Sequence, residues 1–364
     1  MTVFTNDDVA DPLERPAGKR GIEPSLRTGA LRFVNDGEIV PFSPQYLHYN
    51  VGGFAYVFRV RDPANGEEIA LRCWKRADPP AGARERAEAF DRFVAAHPLP
   101  CLLRQQFFPR ALFIKEDYRP IIIMPWVNGL PLRDAVSAAV TMEQAASLLA
   151  ELALAFEQMV LLLQANGVGH GDLQHENIIV RLDGSLCLID YDSVFVPGMV
   201  EGTPSPVGGA PGYGHPDYVS GGVLRPSNAF LDTFSAVVIA ASLHILSQSP
   251  ELFGTNSKDN LLFSNEDISD PGDSVFVRDL QTRFAGTRPI HMLLSALVTM
   301  HADRLQAQIA FANIYTPTRK RIMRSPRFSV PVLTAPPTPL SWKQFAPAQF
   351  ADLDDAPTQM EMFR

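Results

Sequence analysis

A change of hydrophobic period near Asn128-Gly129 constrains this chain most. Before it, short β-rich runs alternate with turn residues. Ala55 to Val60 and Glu68 to Trp74 bracket Asp62-Pro63-Ala64-Asn65-Gly66, which reads as a hairpin. An alanine-rich, charged stretch at 83–96 predicts one helix, and Ala111 to Ile114 and Pro120 to Met124 predict further strands. After the change the apolar residues follow a helical period over 142–164, with Thr141 as the expected N-cap and Asn166-Gly167 as the stop. Helices are expected again at 229–247 and 288–313. A second hairpin, over 178–190, is expected to turn at Asp183-Gly184. Strands followed by helices define an α+β class.

The ends differ from the middle. Residues 1–44 are polar and punctuated by Pro and Gly, with one short strand expected at Leu31 to Val34, so they predict an extension. From Pro331 the chain is rich in Pro, Ala and Thr and then acidic at Asp352, Asp354 and Asp355, the composition of a linker or docking tail. Of the 364 residues 46% are hydrophobic and 20% charged, which suits a folded chain, and a net charge of -8 argues against non-specific nucleic-acid binding. Cys73, Cys101 and Cys187 are widely separated and lack metal-ligand spacing. The apolar stretches at 148–163 and 236–246 are broken by Glu151, Glu157 and Gln164 or by Ser242 and His244, so no membrane span is expected. Without a secretory signal pattern in the first twenty residues, the expected location is cytoplasmic.

The chemistry concentrates in His170-Gly171-Asp172-Leu173-Gln174-His175-Glu176-Asn177, followed thirteen residues after the asparagine by Asp190-Tyr191-Asp192. Phosphoryl transfer selects such a set. A carboxylate orients the attacking hydroxyl, and amide and carboxylate oxygens hold hard cations against phosphates. His170 is expected to brace the loop, and His175 and His215 to be loop residues.

These stretches resemble the protein-kinase superfamily, and among it a bacterial serine/threonine kinase-like group found beside phosphatase partners. His170, Asp172, Leu173 and Asn177 match its catalytic loop and Asp190 its metal loop. Asn50 to Val57 is similar to its glycine-rich nucleotide loop, keeping Gly52 and Val57. Ile69-Ala70-Leu71-Arg72 is similar to its Val-Ala-x-Lys. Met124 to Gly129 resembles the hinge between lobes. Gly209 to Asp217 resembles the end of an activation segment, and Asp232 to Ser235 the opening of the buried helix beneath the catalytic loop.

The resemblance implies a two-lobed protein-kinase-like fold, with a small mainly β N-lobe at 45–127, a larger mainly α C-lobe at 128–325 and a tail at 326–364. It also implies ATP and Mg or Mn. Catalysis falls to Asp172, Asn177 and Arg72, nucleotide binding to Val51, Gly52, Gly53, Val57, Ala70, Arg72, Met124, Pro125, Val127 and Asp190, and the metal to Asn177 and Asp190. The expected activity is transfer to serine or threonine of a protein substrate, with a protein signalling partner such as a phosphatase. A nucleotide-binding pseudokinase scaffold and a small-molecule phosphotransferase of the aminoglycoside or choline kinase type are the alternatives.

Departures mark where the resemblance weakens. Arg72 stands for a lysine, with Glu85 or Glu88 as its expected helix partner. Gln174 stands for a lysine, and Asp192 for a glycine. Gly171 stands for the loop arginine, which implies no arginine-dependent control through a phosphorylated segment.

Overall fold

The computed structural model describes residues 2–3, 33–35, 38–40, 45–51, 55–61, 68–74, 79, 81–114 and 117–315. The architecture is α+β. Contacts divide it into two units: described residues up to Pro98 with Leu103–Val127, and Leu99–Leu102 with Asn128 onward. Gly52, Gly53 and most of 1–44, along with the tail beyond Tyr315, lie outside the described residues.

The first unit is built on a six-stranded sheet. Its strands are β1 (Thr2–Val3), β4 (Gln45–Val51), β5 (Ala55–Arg61), β6 (Glu68–Trp74), β7 (Gln106–Ile114) and β8 (Asp117–Pro125), in the order β1-β7-β8-β6-β5-β4. A separate hairpin pairs β2 (Phe33–Asn35) with β3 (Glu38–Val40). Strand alternation sends Ala70, Arg72 and Trp74 of β6 to one face. Ala70 and Trp74 pack there with Ile122 and Met124 of β8, Val57 of β5, Phe107 and Trp126, and with Ala83 and Ala87 of helix α1 (Ala83–Ala96). The small alanines let α1 lie close to the indole. Phe90 and Val94, further along α1, are also buried.

In the second unit β9 (Gly129–Pro131), β10 (Ile178–Arg181) and β11 (Leu186–Leu188) form a small antiparallel sheet in the order β11-β10-β9. The β10–β11 hairpin turns at Asp183-Gly184, where Gly184 has φ 82° and the Asp183 carboxylate accepts from Ser185 N at 3.0 Å and Ser185 Oγ at 2.7 Å. Helices α2 (Leu132–Val140), α3 (Ala145–Ala165), α4 (Pro216–Val219), α5 (Thr233–Gln248), α6 (Asn265–Ser269), α7 (Val275–Arg283), α8 (Arg288–Ala302) and α9 (Ala312–Tyr315) complete it.

Thr141 does not cap α3. It closes α2, a helix the sequence pattern did not announce, and its Oγ1 donates to Ala138 O at 2.8 Å. Helix α3, at 21 residues, is long and apolar enough to cross a bilayer by length and composition, contrary to the expectation above. Half of its most apolar window is buried within the unit, where it packs on α5. Between these two helices the Glu157 carboxylate meets His244 Nε2. Helix α5 buries 14 of its 16 residues, as expected of a central core helix with no polar face.

Candidate functional site

The loop carrying Asp172 is fixed by a carboxylate sixty residues away. Asp232, just before α5, is buried and accepts from His170 N with Oδ2 and from Gly171 N with Oδ1 at 2.9 Å. Two backbone donors that no secondary structure satisfies thereby find partners. The His170 ring completes the brace. Asp172 N donates to its Nδ1 at 3.3 Å, which leaves Nε2 protonated to donate to Ile189 O at 2.8 Å. Gly171 has φ 87°, and a Cβ there would sit 2.2 Å from Ser193 O, so the residue before Asp172 must be glycine.

Asp172, Asn177 and Asp190 are brought to one place by the hairpin register. Ile178 pairs with Leu188, so the residues just beyond, Asn177 and Ile189, meet at the same open end, and Ile189 N donates to Asn177 O at 3.0 Å. Asn177 ends a single 3-10 turn over His175–Asn177. Its Nδ2 donates to Asp172 O at 2.8 Å and Asp172 Oδ2 at 3.1 Å, which leaves Oδ1 as the acceptor it can offer a ligand. Gln174 Nε2 also donates to Asp172 Oδ2, at 3.2 Å. Two amides therefore hold one carboxylate oxygen and leave Oδ1 of Asp172 to take a proton. Burial holds the Asp172 carboxyl above its ordinary value; the Asp190 charge adds to this, while His170, Arg225 and the Gln174 bond oppose it.

Asp190 is the one non-glycine residue with positive φ among the described residues, at 64°. A left-handed aspartate costs of order 1 kcal/mol and persists only where the surroundings impose it. Here the β11 ladder ends at Leu188, Ile189 is bonded on both sides by Asn177 and His170, and the backbone must turn at once.

His175 and His215 are more than loop residues. His175 is buried on the 3-10 turn, and its Nδ1 lies 2.7 Å from Tyr213 Oη. That hydroxyl also accepts from Leu261 N at 3.1 Å, so Tyr213 ties the 3-10 turn to the backbone at Leu261. His215 is likewise buried. Its Nδ1 accepts from Asp217 N at the start of α4, and its Nε2 faces Met300 O at 3.1 Å. Burial lowers both, His175 to about 4 with the Arg133 charge adding to the effect and Asp259 opposing it. A histidine whose folded value lies below its ordinary 6.5 contributes stability that is complete above pH 6.5 and is lost as pH falls toward 4. For His175 this amounts to about 3 kcal/mol. The midpoint of thermal unfolding should therefore fall steeply from pH 6.5 to 4, and His175→Gln, which keeps an acceptor for Tyr213, should flatten that slope. Equal slopes would contradict the assignment.

The nucleotide-binding residues expected in the first unit form a second group. Val57 lies opposite Arg72 on the neighbouring strand, and Ala70 opposite Met124. Val51 ends β4, Pro125 ends β8 and is exposed, and Val127 is half-buried beyond it. Trp126 N donates to Glu68 O at 3.0 Å. Arg72 is buried, and its guanidinium lies over the Trp74 ring, 5.4 Å from the centroid. Of its two expected helix partners, Glu88 is held by Arg84 Nε at 2.7 Å and Glu85 is exposed.

Asn177 Oδ1 and the Asp190 carboxylate are the hard oxygen donors that Mg takes when phosphates and water complete its shell. No group of three His, Cys, Asp or Glu side chains that could hold a metal occurs among the described residues. Neither a scan of protein-family models nor a search of curated proteins finds a match to the chain.

Proposed function

We propose that the protein is a two-lobed, protein-kinase-like phosphotransferase that passes the γ-phosphoryl group of ATP to serine or threonine hydroxyls of a protein. The observation that carries this is the shared carboxylate–amide arrangement at one hairpin end. Asp172 has one oxygen held by Asn177 and Gln174, and Asn177 keeps its carbonyl oxygen for a cation. Asp190, whose charge acts on Asp172, follows Ile189 in a left-handed conformation that its surroundings must maintain.

A bound Mg ion would neutralise charge developing on the phosphates. Asp172 Oδ1 orients the substrate hydroxyl and takes its proton, helped by a carboxyl held above its ordinary value. In the first unit, Val57, Ala70 and Met124, which pack in its core, are the apolar side chains such a nucleotide site would draw on for adenine, and Arg72 its positive charge.

A scaffold that binds nucleotide without turnover is favoured by one observation. The Arg72 guanidinium is engaged with the Trp74 indole, and a planar fork so held is not equivalent to a mobile ammonium.

Calorimetric titration with ATP tests the binding site. Affinity should require Mg or Mn and fall at least about 10-fold in Asp190→Ala, since the cation loses its charged ligand. Binding indifferent to both metal and Asp190 would remove the nucleotide site from this place. Metal-dependent binding without turnover would favour the scaffold.

A further inference from the structure

Arg225 lies between α4 and α5 and, beyond the charge it places near Asp172, has no role assigned in the chemistry proposed above. Its side chain is 4% exposed in residue terms, and three separate pieces of chain meet around it. Nη2 donates to Gly171 O, immediately before Asp172, and lies 3.4 Å from Ser205 Oγ. The Arg225 carbonyl accepts from Ser205 N at 2.8 Å. The other arm, Nη1, would be 3.4 Å from a Cβ on Gly209, so it runs beneath the glycine-rich stretch 208–214. Asp232 and Asp172 are the anions acting on it.

Burying a guanidinium is costly unless its donors are used. An apolar side chain would fill this space more cheaply, so the site's specificity lies in bridging. Nη2 carries two N–H groups, and it reaches a carbonyl on one segment and a hydroxyl on another at the same time. Gly171 cannot carry any side chain, because of its φ and the Ser193 carbonyl. The Asp172 loop therefore receives its cation from a residue 54 positions beyond Gly171.

We propose that Arg225 is a positioning residue that couples the Asp172 loop to the stretch 205–214, so that a polypeptide or modification displacing that stretch also displaces Asp172. The catalytic consequence rests on the phosphoryl-transfer function proposed above; the coupling does not.

The test compares full-length wild type with Arg225→Met, Arg225→Lys and Ser205→Ala by amide hydrogen exchange, alongside kcat and KM for transfer. In Arg225→Met, exchange should rise at least about 10-fold in both 168–177 and 203–214 while α3 and α5 keep their protection. The kcat should fall about 10- to 100-fold, with KM for ATP within about threefold, because Asp172 is misplaced and the nucleotide ligands are not. Arg225→Lys, which keeps the charge and a donor on a differently shaped side chain, should lie between wild type and Arg225→Met in both stretches.

Exchange rising in one stretch alone, or uniformly through α3 and α5, would overturn the coupling, as would unchanged kcat in an active enzyme. Should Arg225→Met fail to fold, the lysine and Ser205→Ala variants carry the same exchange readout. A wild type with no transfer at all would sink the proposed function, and the exchange result would still decide the coupling.

Discussion

Asp172→Ala is expected to lower kcat for phosphoryl transfer about 10^3-fold, close to 4 kcal/mol of transition-state stabilisation, while ATP affinity stays within about threefold. The separation follows from geometry. Asn177 Nδ2 bonds the backbone carbonyl of residue 172 at 2.8 Å as well as its carboxylate, so the amide keeps its orientation when the side chain is removed. The cation ligands are therefore retained and only the proton acceptor is lost. Asp172→Asn keeps an oxygen for the two amides and should lose nearly as much activity, because it cannot take a proton. A fall in ATP affinity parallel to that in kcat would make Asp172 a structural residue.

Asp232→Ala carries the largest expected effect on stability. It leaves His170 N and Gly171 N buried without acceptors and takes a counter-charge from Arg225. An orphaned buried donor costs about 1–3 kcal/mol, and an uncompensated buried charge more. A combined loss of about 3–5 kcal/mol should lower the thermal midpoint by roughly 10 °C, measured by calorimetry or circular dichroism. Asp232→Asn, with a single acceptor oxygen, should lie between. A midpoint shift below about 2 °C would mean that the loop does not depend on this carboxylate.

The α+β class was legible because local patterns carry it. The hairpin at 178–190 shows apolar runs around an Asp-Gly turn, and α1, α3 and α5 appear within a few residues of their expected limits. Thr141 was misread because a hydroxyl next to an apolar helix fits either of its ends. Helix α2, whose end it closes, begins after Pro131 in a run that gives little period to follow.

Asp172, Asn177 and Asp190 stood out through spacing, and the hairpin register is a local property that spacing can convey. The parts played by Arg225, His175 and Tyr213 did not stand out. Their partners are Gly171, Tyr213 and Leu261, between 38 and 54 residues away in chain or across the unit, and buried polar side chains leave no periodic trace of whom they bond. Arg225 in particular sits among Pro and Gly residues, where a lone cation looks like surface.

Radiolabelled γ-phosphate from ATP, offered with Mg or Mn to the purified full-length chain and generic protein substrates, is the most direct test of phosphoryl transfer at this site. Label should appear on serine or threonine in the wild type and vanish in Asp172→Ala and Asp190→Ala. Label that persists in both variants, or none in a wild type that shows no metal-dependent ATP binding, would contradict it.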